Sequence, residues 1–208
     1  MSILNATNST VKLNKGDKIN ISKTVENLNE IIIGLGWDIA KDNRFSLKNQ
    51  GIFRKLFNKK KVSNNQDIDC DTWVAVLDSE KDSIETIYFG NLHNRANNIR
   101  HMEDNITGEG KDNEQIIVDL PDIDENAAEL LVGITVYGAE SCNTFVRIVD
   151  KDSDCELCRY EHKNLSSNEE DTNFIVGRFM RNNNDWEFEA LGMTSGENTL
   201  LETIRKYK

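Results

Sequence analysis

The sequence predicts an all-β fold, a two-sheet β-sandwich with few short helices, including one at the C-terminus. Three observations lead there. About nine short runs are rich in Val, Ile, Leu, Thr and aromatic residues, and clusters of Asn, Asp and Gly separate them. The 208 residues include 12 Gly and one Pro, so the turns must rest on Asn, Asp and Gly, which tolerate positive φ. Helical signal is thin and clearest at the C-terminal end.

The expected strands are Lys18–Ile21, Glu30–Trp37, Thr72–Leu77, Ile84–Phe89, Gln115–Leu120, Glu129–Tyr137, Thr144–Val149, Glu156–Glu161 and Trp186–Leu191. In Thr72–Leu77, Thr72, Val74 and Val76 share one face, and Trp73, Ala75 and Leu77 share the other. Both faces are mostly apolar, which marks a central strand. Thr144–Val149 reads as one-sided, with Phe145, Arg147 and Val149 set against Val146, Ile148 and Asp150. Residues 172–181 leave helix and strand both open. Leu200, Leu201, Ile204 and Tyr207 follow i, i+1, i+4, i+7 and predict an amphipathic helix from about Glu197 to Lys206. Lys206 and Lys208 lie at the end where the helix dipole favours cations. No internal repeat is present, and residues 1–208 read as one domain with a basic insertion at about 41–66.

Hydrophobic residues make up 38% of the chain, enough for a core and too many for wholesale disorder. The formal net charge is −11. An acidic chain repels polyanions, so no specific nucleic acid is expected as a partner, and cations or basic partners are favoured. The apolar stretches Ile31–Trp37 and Leu130–Ala139 fall far short of the ~20 residues a membrane helix needs. The opening residues carry neither a basic n-region nor an apolar h-region, and the expectation is a soluble cytoplasmic protein. Within the acidic whole, Lys41–Lys61 holds eight basic residues and one acid, interleaved with Phe45, Leu47, Ile52, Phe53, Leu56 and Phe57. Such a stretch is either a solvated surface loop or a docking arm for an acidic protein, an anionic membrane or RNA.

Cys70, Cys142, Cys155 and Cys158 are expected to be reduced thiols in that compartment. Cys155 and Cys158 have CxxC spacing, but no second pair completes a tetrahedral zinc site, and side chains three apart on a strand point to opposite faces. They read as structural, with Cys158 in a strand and Cys155 at the turn before it.

The densest chemistry lies in Asp104–Glu114, which holds four carboxylates, two side-chain amides and a hydroxyl, with two glycines for tight turning. Hard cations such as Ca²⁺ take six to eight oxygens of this kind. The order of residues is not that of an EF-hand, since Ile106 and Glu109 stand where that loop needs an oxygen ligand and a glycine. A solvated acidic loop and a metal loop both remain open on spacing. Asp69 and Asp71 lie on one face of an extended segment ahead of an apolar strand, and Asp38 ends another strand in the same way. Acids gathered at strand mouths repel one another unless a cation joins them.

These residues resemble a known family. Gly34-Leu35-Gly36-Trp37-Asp38 matches the "GLGWD" of the TerD family of bacterial stress proteins. Ile68-Asp69-Cys70-Asp71-Thr72 matches its "FDLDAS" or "IDCDAS", and Tyr88-Phe89-Gly90-Asn91-Leu92 is similar to its "VYFGNL". Asp104–Glu114 resembles its signature "DNLTGEGDGDDE", followed by the matching strand Gln115–Leu120. Glu156-Leu157-Cys158-Arg159-Tyr160 is similar to "ELVRY", and Asp185-Trp186-Glu187-Phe188 to "EWKF". The similarity runs from about Val11 to the C-terminus. It implies a β-sandwich, calcium binding by the acidic loops, no catalytic activity, and a role in resistance to tellurite and other chemical damage. It also implies partners from the same stress or tellurite-resistance gene cluster, some of them membrane-bound; the basic loop 41–61 is a candidate membrane contact.

The ligands the resemblance implies are Asp69, Asp71, Asp104, Asn105, Thr107, Gly108, Glu109, Asp112 and Glu114, with Asp38 as a further candidate. Lys111 and Asn113 depart from the signature by trimming negative charge. Trp73 stands where the family prefers a small residue, and the basic stretch is longer than the usual Gly-rich linker. His93, His101 and His162 form no HxxxH or HExxH, and no GxSxG or P-loop occurs. The enzyme alternative is a metal-dependent hydrolase acting through water on the acidic cluster.

Overall fold

The computed structural model describes residues 10–25, 27–39, 69–102, 112–137, 141–166 and 173–208, with backbone alone for 38, 39 and 166. The basic insertion at 41–66 therefore lies outside the described residues. The strands in chain order are β1 (Val11–Leu13), β2 (Lys18–Asn20), β3 (Glu30–Ile39), β4 (Asp69–Leu77), β5 (Ser83–Ile87), β6 (Ile99–His101) and β7 (Glu114–Asp119). They continue with β8 (Glu129–Tyr137), β9 (Ser141–Asp150), β10 (Cys155–Ser166), β11 (Asn173–Asn182) and β12 (Asp185–Thr194), and the chain closes with helix α1 (Leu200–Tyr207). One sheet runs β1-β10-β9-β3-β7-β6 and the other β2-β12-β11-β8-β4-β5. All neighbours are antiparallel except β1 on β10. The expected β-sandwich is thus the fold found.

Of residues 172–181, open in sequence, 173–181 lie in strand β11 (Asn173–Asn182), paired with both β8 and β12. The short β1 and β6 had no sequence signal, because three residues are too few to show alternation. Five of the six described non-glycine residues at positive φ are Asn or Asp (Asn27, Asn97, Asp154, Asn164, Asn183), as a chain with one proline requires.

The main core lies between the sheets. Ile31, Ile33 and Leu35 of β3 and Val146 and Ile148 of β9 meet Val74, Val132, Ile134, Phe174, Phe179 and Phe188 of the other sheet. Phe179 and Phe188 are cross-strand partners with rings 4.8 Å apart. A second, smaller cluster forms on the outer face of the β4 sheet. There Trp73, Ala75, Leu77, Leu131 and Ile175 pack under Ile204 of α1. This is why both faces of β4 are apolar: one meets the sandwich interior and the other meets the helix.

Helix α1 starts three residues later than the periodicity suggests, because Thr199 caps it. The Thr199 hydroxyl oxygen accepts from Glu202 N–H at 3.2 Å and the hydroxyl donates to Glu202 Oε2 at 2.7 Å, a reciprocal closure of the first turn. At the other end Lys206 donates to the Ser195 carbonyl at 3.0 Å and Lys208 to Asp82 at 2.5 Å. Among the described residues, no helix is long and apolar enough to cross a membrane.

Strand β9 is not one-sided. Val146 and Ile148 face the interior, but Arg147 and Val149 on the opposite face are buried too. The burial of Arg147 follows from the arrangement of acidic residues around it.

Candidate functional site

Of the ten sequence-predicted ligands, Asp104, Asn105, Thr107, Gly108 and Glu109 lie outside the described residues. Asp38 lies in β3 opposite Asn143 of β9. The remaining four, Asp69, Asp71, Asp112 and Glu114, are placed with their side chains, and the structure divides them among three environments.

Asp112 sits on the outer face of the β3 sheet. Gly34 of β3 has Gln115 of β7 on one side and Arg147 of β9 on the other. The Asp112 carboxylate lies over Gly34, in the space a Cβ there would occupy. It accepts from Arg147 Nε at 2.6 Å and Nη2 at 2.8 Å, and from Gln115 Nε2 at 3.0 Å. Both members are nearly sealed from solvent, so the bidentate pair is held in low dielectric. Arg147 also reaches Glu156 at 3.3 Å, and Glu156 holds Arg159 by two bonds of 2.7 and 2.8 Å. The Arg159 guanidinium lies 4.2 Å from the Phe145 ring centre, and that ring lies over Gly36 where a Cβ would clash. The two glycines of the Gly34-Leu35-Gly36 motif thus clear a flat strip of backbone on which a carboxylate and an aromatic ring rest. The Asp112 bond, charge of Asp112 and contact with Glu156 hold the Arg147 pKa above its ordinary value against the opposing effect of burial. Burial alone would raise Glu156, but its bonds and charge contacts with Arg159 and Arg147 outweigh that and hold its carboxyl below the usual range.

Glu114 points the other way, into the sandwich, as does its neighbour in register, Leu35. It is 1% exposed. Its Oε2 accepts the Thr72 backbone N–H at 2.6 Å, a contact that ties β7 of one sheet to β4 of the other. His101 Nε2 lies 3.8 Å from the same oxygen.

Asp69 and Asp71 sit at the mouth of β4, on the side that carries Trp73 rather than the side of Cys70, Thr72 and Val74, which belong to the interior. Asp69 is exposed and its Oδ1 accepts its neighbour's amide, Cys70 N–H, at 3.0 Å. Asp71 lines a cavity of about 300 Å³ with Trp73, Tyr88, Phe89 and Tyr137. Burial, then the charge of Asp71 and a hydrogen bond to it, push the Tyr137 hydroxyl up to about 12.

The four placed acids do not share one site: Glu114 bonds the Thr72 N–H in the interior, Asp69 and Asp71 lie on the other side of β4, and Asp112 is committed to Arg147 on the opposite outer face. Among the described residues no group of three or more His, Cys, Asp or Glu side chains is arranged to hold a metal ion. Sequence reasoning missed Arg147, whose signal was a glycine two residues from another glycine on a strand, opposite a lone arginine. Cys158 is buried in β10 and Cys155 is exposed at its start, just after the turn 151–154. A bulge between Glu156 and Cys158 sets them opposite Asp150 and Ile148, on one side of the strand rather than on the opposite faces their spacing predicts. Burial pushes the Cys158 thiol well above its ordinary range.

Comparison with known proteins places this architecture. The TerD domain matches residues 9–207. The chain is 31% identical over 208 residues to Stress response protein SCP2 of Bacillus subtilis, covering 95% of this chain and 98% of the relative. It is 31% identical over 187 residues to Tellurium resistance protein TerZ of Serratia marcescens, covering 88% and 89%. Its fold is similar to the crystal structure of a homologue of telluride resistance protein (TerD) from Streptomyces coelicolor A3(2), with a TM-score of 0.57, 16% identity, and coverage of 85% and 95%. With its two six-stranded sheets and the ordered motifs at Gly34–Asp38, Asp69–Thr72 and Glu114–Leu120, the chain belongs to the TerD domain family, whose relatives are named for tellurium resistance and stress response.

Proposed function

We propose that the chain is a non-enzymatic calcium-binding stress-response protein of the cytoplasm, acting as a calcium-dependent scaffold or interaction module. The observation that supports this reading is the 2.6 Å bond from Thr72 N–H to Glu114. It joins the last residue of the Asp104–Glu114 signature to the residue after Asp71, so two acid-bearing stretches distant in sequence share one end of the sandwich. Their donors are carboxylates, amides and a hydroxyl, and this hard-oxygen chemistry fits Ca²⁺. The ion would be held by Asp69 and Asp71 together with Asp104, Asn105, Thr107, Gly108 and Glu109, with Asp38 as a further donor. Bound there, it supplies positive charge to carboxylates that otherwise repel one another. Asp112 does not fit as a ligand, since both its oxygens are engaged by Arg147; we assign Asp112 and Glu114 to anchoring the signature.

Partners would be proteins of a stress or tellurite-resistance gene cluster, with an anionic membrane surface reached through Lys41–Lys61. Thermal unfolding after exhaustive chelation, then with added Ca²⁺, tests the metal. At a hundredfold excess over the dissociation constant, binding to the folded form alone adds about 2.7 kcal/mol. Mg²⁺ should add less, because it demands a tighter octahedron. Asp71→Ala and Asp104→Ala should each remove most of the shift, while Asp112→Asn should lower the metal-free midpoint and leave the shift in place. An identical melt with and without Ca²⁺ overturns the reading, and turnover of phosphate-ester, nucleic-acid or carboxylic-ester substrates would favour the hydrolase instead. Replacing 41–61 by a short Gly/Ser loop should keep the calcium shift and abolish salt-sensitive vesicle binding; retained binding would remove the membrane from the proposal.

A further inference from the structure

Cys70 is the second residue of β4 and Cys142 the second residue of β9, so the two belong to different sheets. Both are fully buried, and their sulfurs lie 3.7 Å apart. The pair sits at the acidic end of the sandwich, with Asp69 and Asp71 on either side of Cys70. A disulfide needs about 2.05 Å between sulfurs, so the two sulfurs, already in contact, must approach further to bond. Inter-sheet disulfides of this kind are an established way to fasten a β-sandwich.

We propose that Cys70 and Cys142 are an oxidative modification site, a dithiol that closes to a disulfide and fastens the two sheets at the acidic end. The oxidant class is a peroxide. One thiolate attacks an oxygen of hydrogen peroxide, forming a sulfenic acid and releasing hydroxide. The second sulfur then attacks the sulfenic sulfur, forming the S–S bond and expelling its oxygen as water. Two thiols and one peroxide give one disulfide and two waters, with two electrons passing from sulfur to peroxide oxygen. The contact with Cys142 and burial hold the Cys70 thiol far above its ordinary range, so the attacking thiolate forms when the strand ends open locally, which costs less free energy than opening strand centres.

The CxxC pair is the competing site. Cys155 is exposed and meets oxidant first, while Cys158 is buried; peptide mapping tells a bond between these two from one between Cys70 and Cys142.

The test treats the full-length protein with hydrogen peroxide in the presence of a chelator, which keeps the outcome independent of any calcium site. Unreduced peptide mapping should recover one fragment joining Cys70 to Cys142, two hydrogens lighter than its two peptides together. The oxidised protein should unfold at a midpoint several degrees higher, since the bond closes a long loop, and a reducing agent should restore the original midpoint. Cys155→Ser should leave all of this in place, while Cys70→Ala and Cys142→Ala should each abolish it. The wild-type mapping stands even where a variant fails to fold. Recovery of Cys70 and Cys142 as separate thiols, or linked only to Cys155 or Cys158, overturns the proposal. A mapped Cys70–Cys142 bond with no rise in midpoint overturns the fastening.

Discussion

The two outer faces of this sandwich are finished by opposite chemistry. On the β4 sheet, a tryptophan lies across a glycine: the Trp73 ring fills the space over Gly133, its neighbour in register on β8. Helix α1 then seals that ring beneath Ile204. On the β3 sheet, a carboxylate lies across a glycine: Asp112 over Gly34, held by Arg147 and Gln115. The backbone device is the same, a missing Cβ in the middle of a strand. The covering group differs, and with it the energetics. An apolar ring gains from leaving water in proportion to its area. A buried ion pair loses solvation that its mutual attraction only roughly restores, so its value is in fixing geometry rather than in net stability.

The sharpest way to break this comparison is to delete each covering group. Trp73→Ala should lower unfolding free energy by about 4 kcal/mol in urea titrations, through lost burial and a cavity beneath α1. A loss under about 1 kcal/mol would mean the helix collapses onto Gly133 and the second core is dispensable.

Arg147→Ala should cost about 3 kcal/mol, because it strands the Asp112 carboxylate without its cation. The informative variant is the double one. Replacing Arg147 by Met and Asp112 by Leu together should recover most of that loss if the pair only fills the face. A double variant as unstable as the single one would show that the ion pair itself contributes net stability, and the contrast between the faces would narrow.

Acid separates the two faces more gently. Hydrogen bonding to Lys151, reinforced by Arg100, lowers the Glu30 pKa, and Glu156 is lowered by Arg159 and Arg147 against its burial. A carboxylate with a depressed folded value contributes stability that is fully present above its ordinary value of 4.5. That stability is lost as pH falls through the folded value. Wild-type protein should therefore lose unfolding free energy on going from about pH 6 to about pH 3, and Glu156→Gln should lose less. Identical slopes would remove Glu156 from the acid response. Trp73→Ala should leave the slope as in wild type, since no titrating group is changed.

Much of the sandwich was legible without coordinates. Alternation in Thr72–Leu77 marked β4 as covered on both sides, and the Leu200–Tyr207 periodicity supplied the cover. Residues 173–182 were not legible: Phe174, Val176, Phe179 and Met180 suit either period, and only pairing with β8 and β12 makes them strand. At the site, the resemblance of Asp69–Thr72 and Asp104–Glu114 to one family marked the acidic stretches, but not how they divide. Asp112 and Glu114 are two apart in sequence, yet one meets Arg147 on an outer face while the other bonds Thr72 in the interior.

The sequence by itself determined the strand periods, the Asn- and Asp-based turns, the helix and the family, because each depends on residues close together in the chain or on ordered motifs. Only the tertiary structure decided which carboxylates are neutralised by arginine and which stay at the mouth of the sheet. The same holds for the approach of Cys70 to Cys142, 72 residues apart. Burial and partner choice for a charged group or a thiol are set by strand register and by the stacking of the sheets, and those are properties of the folded whole.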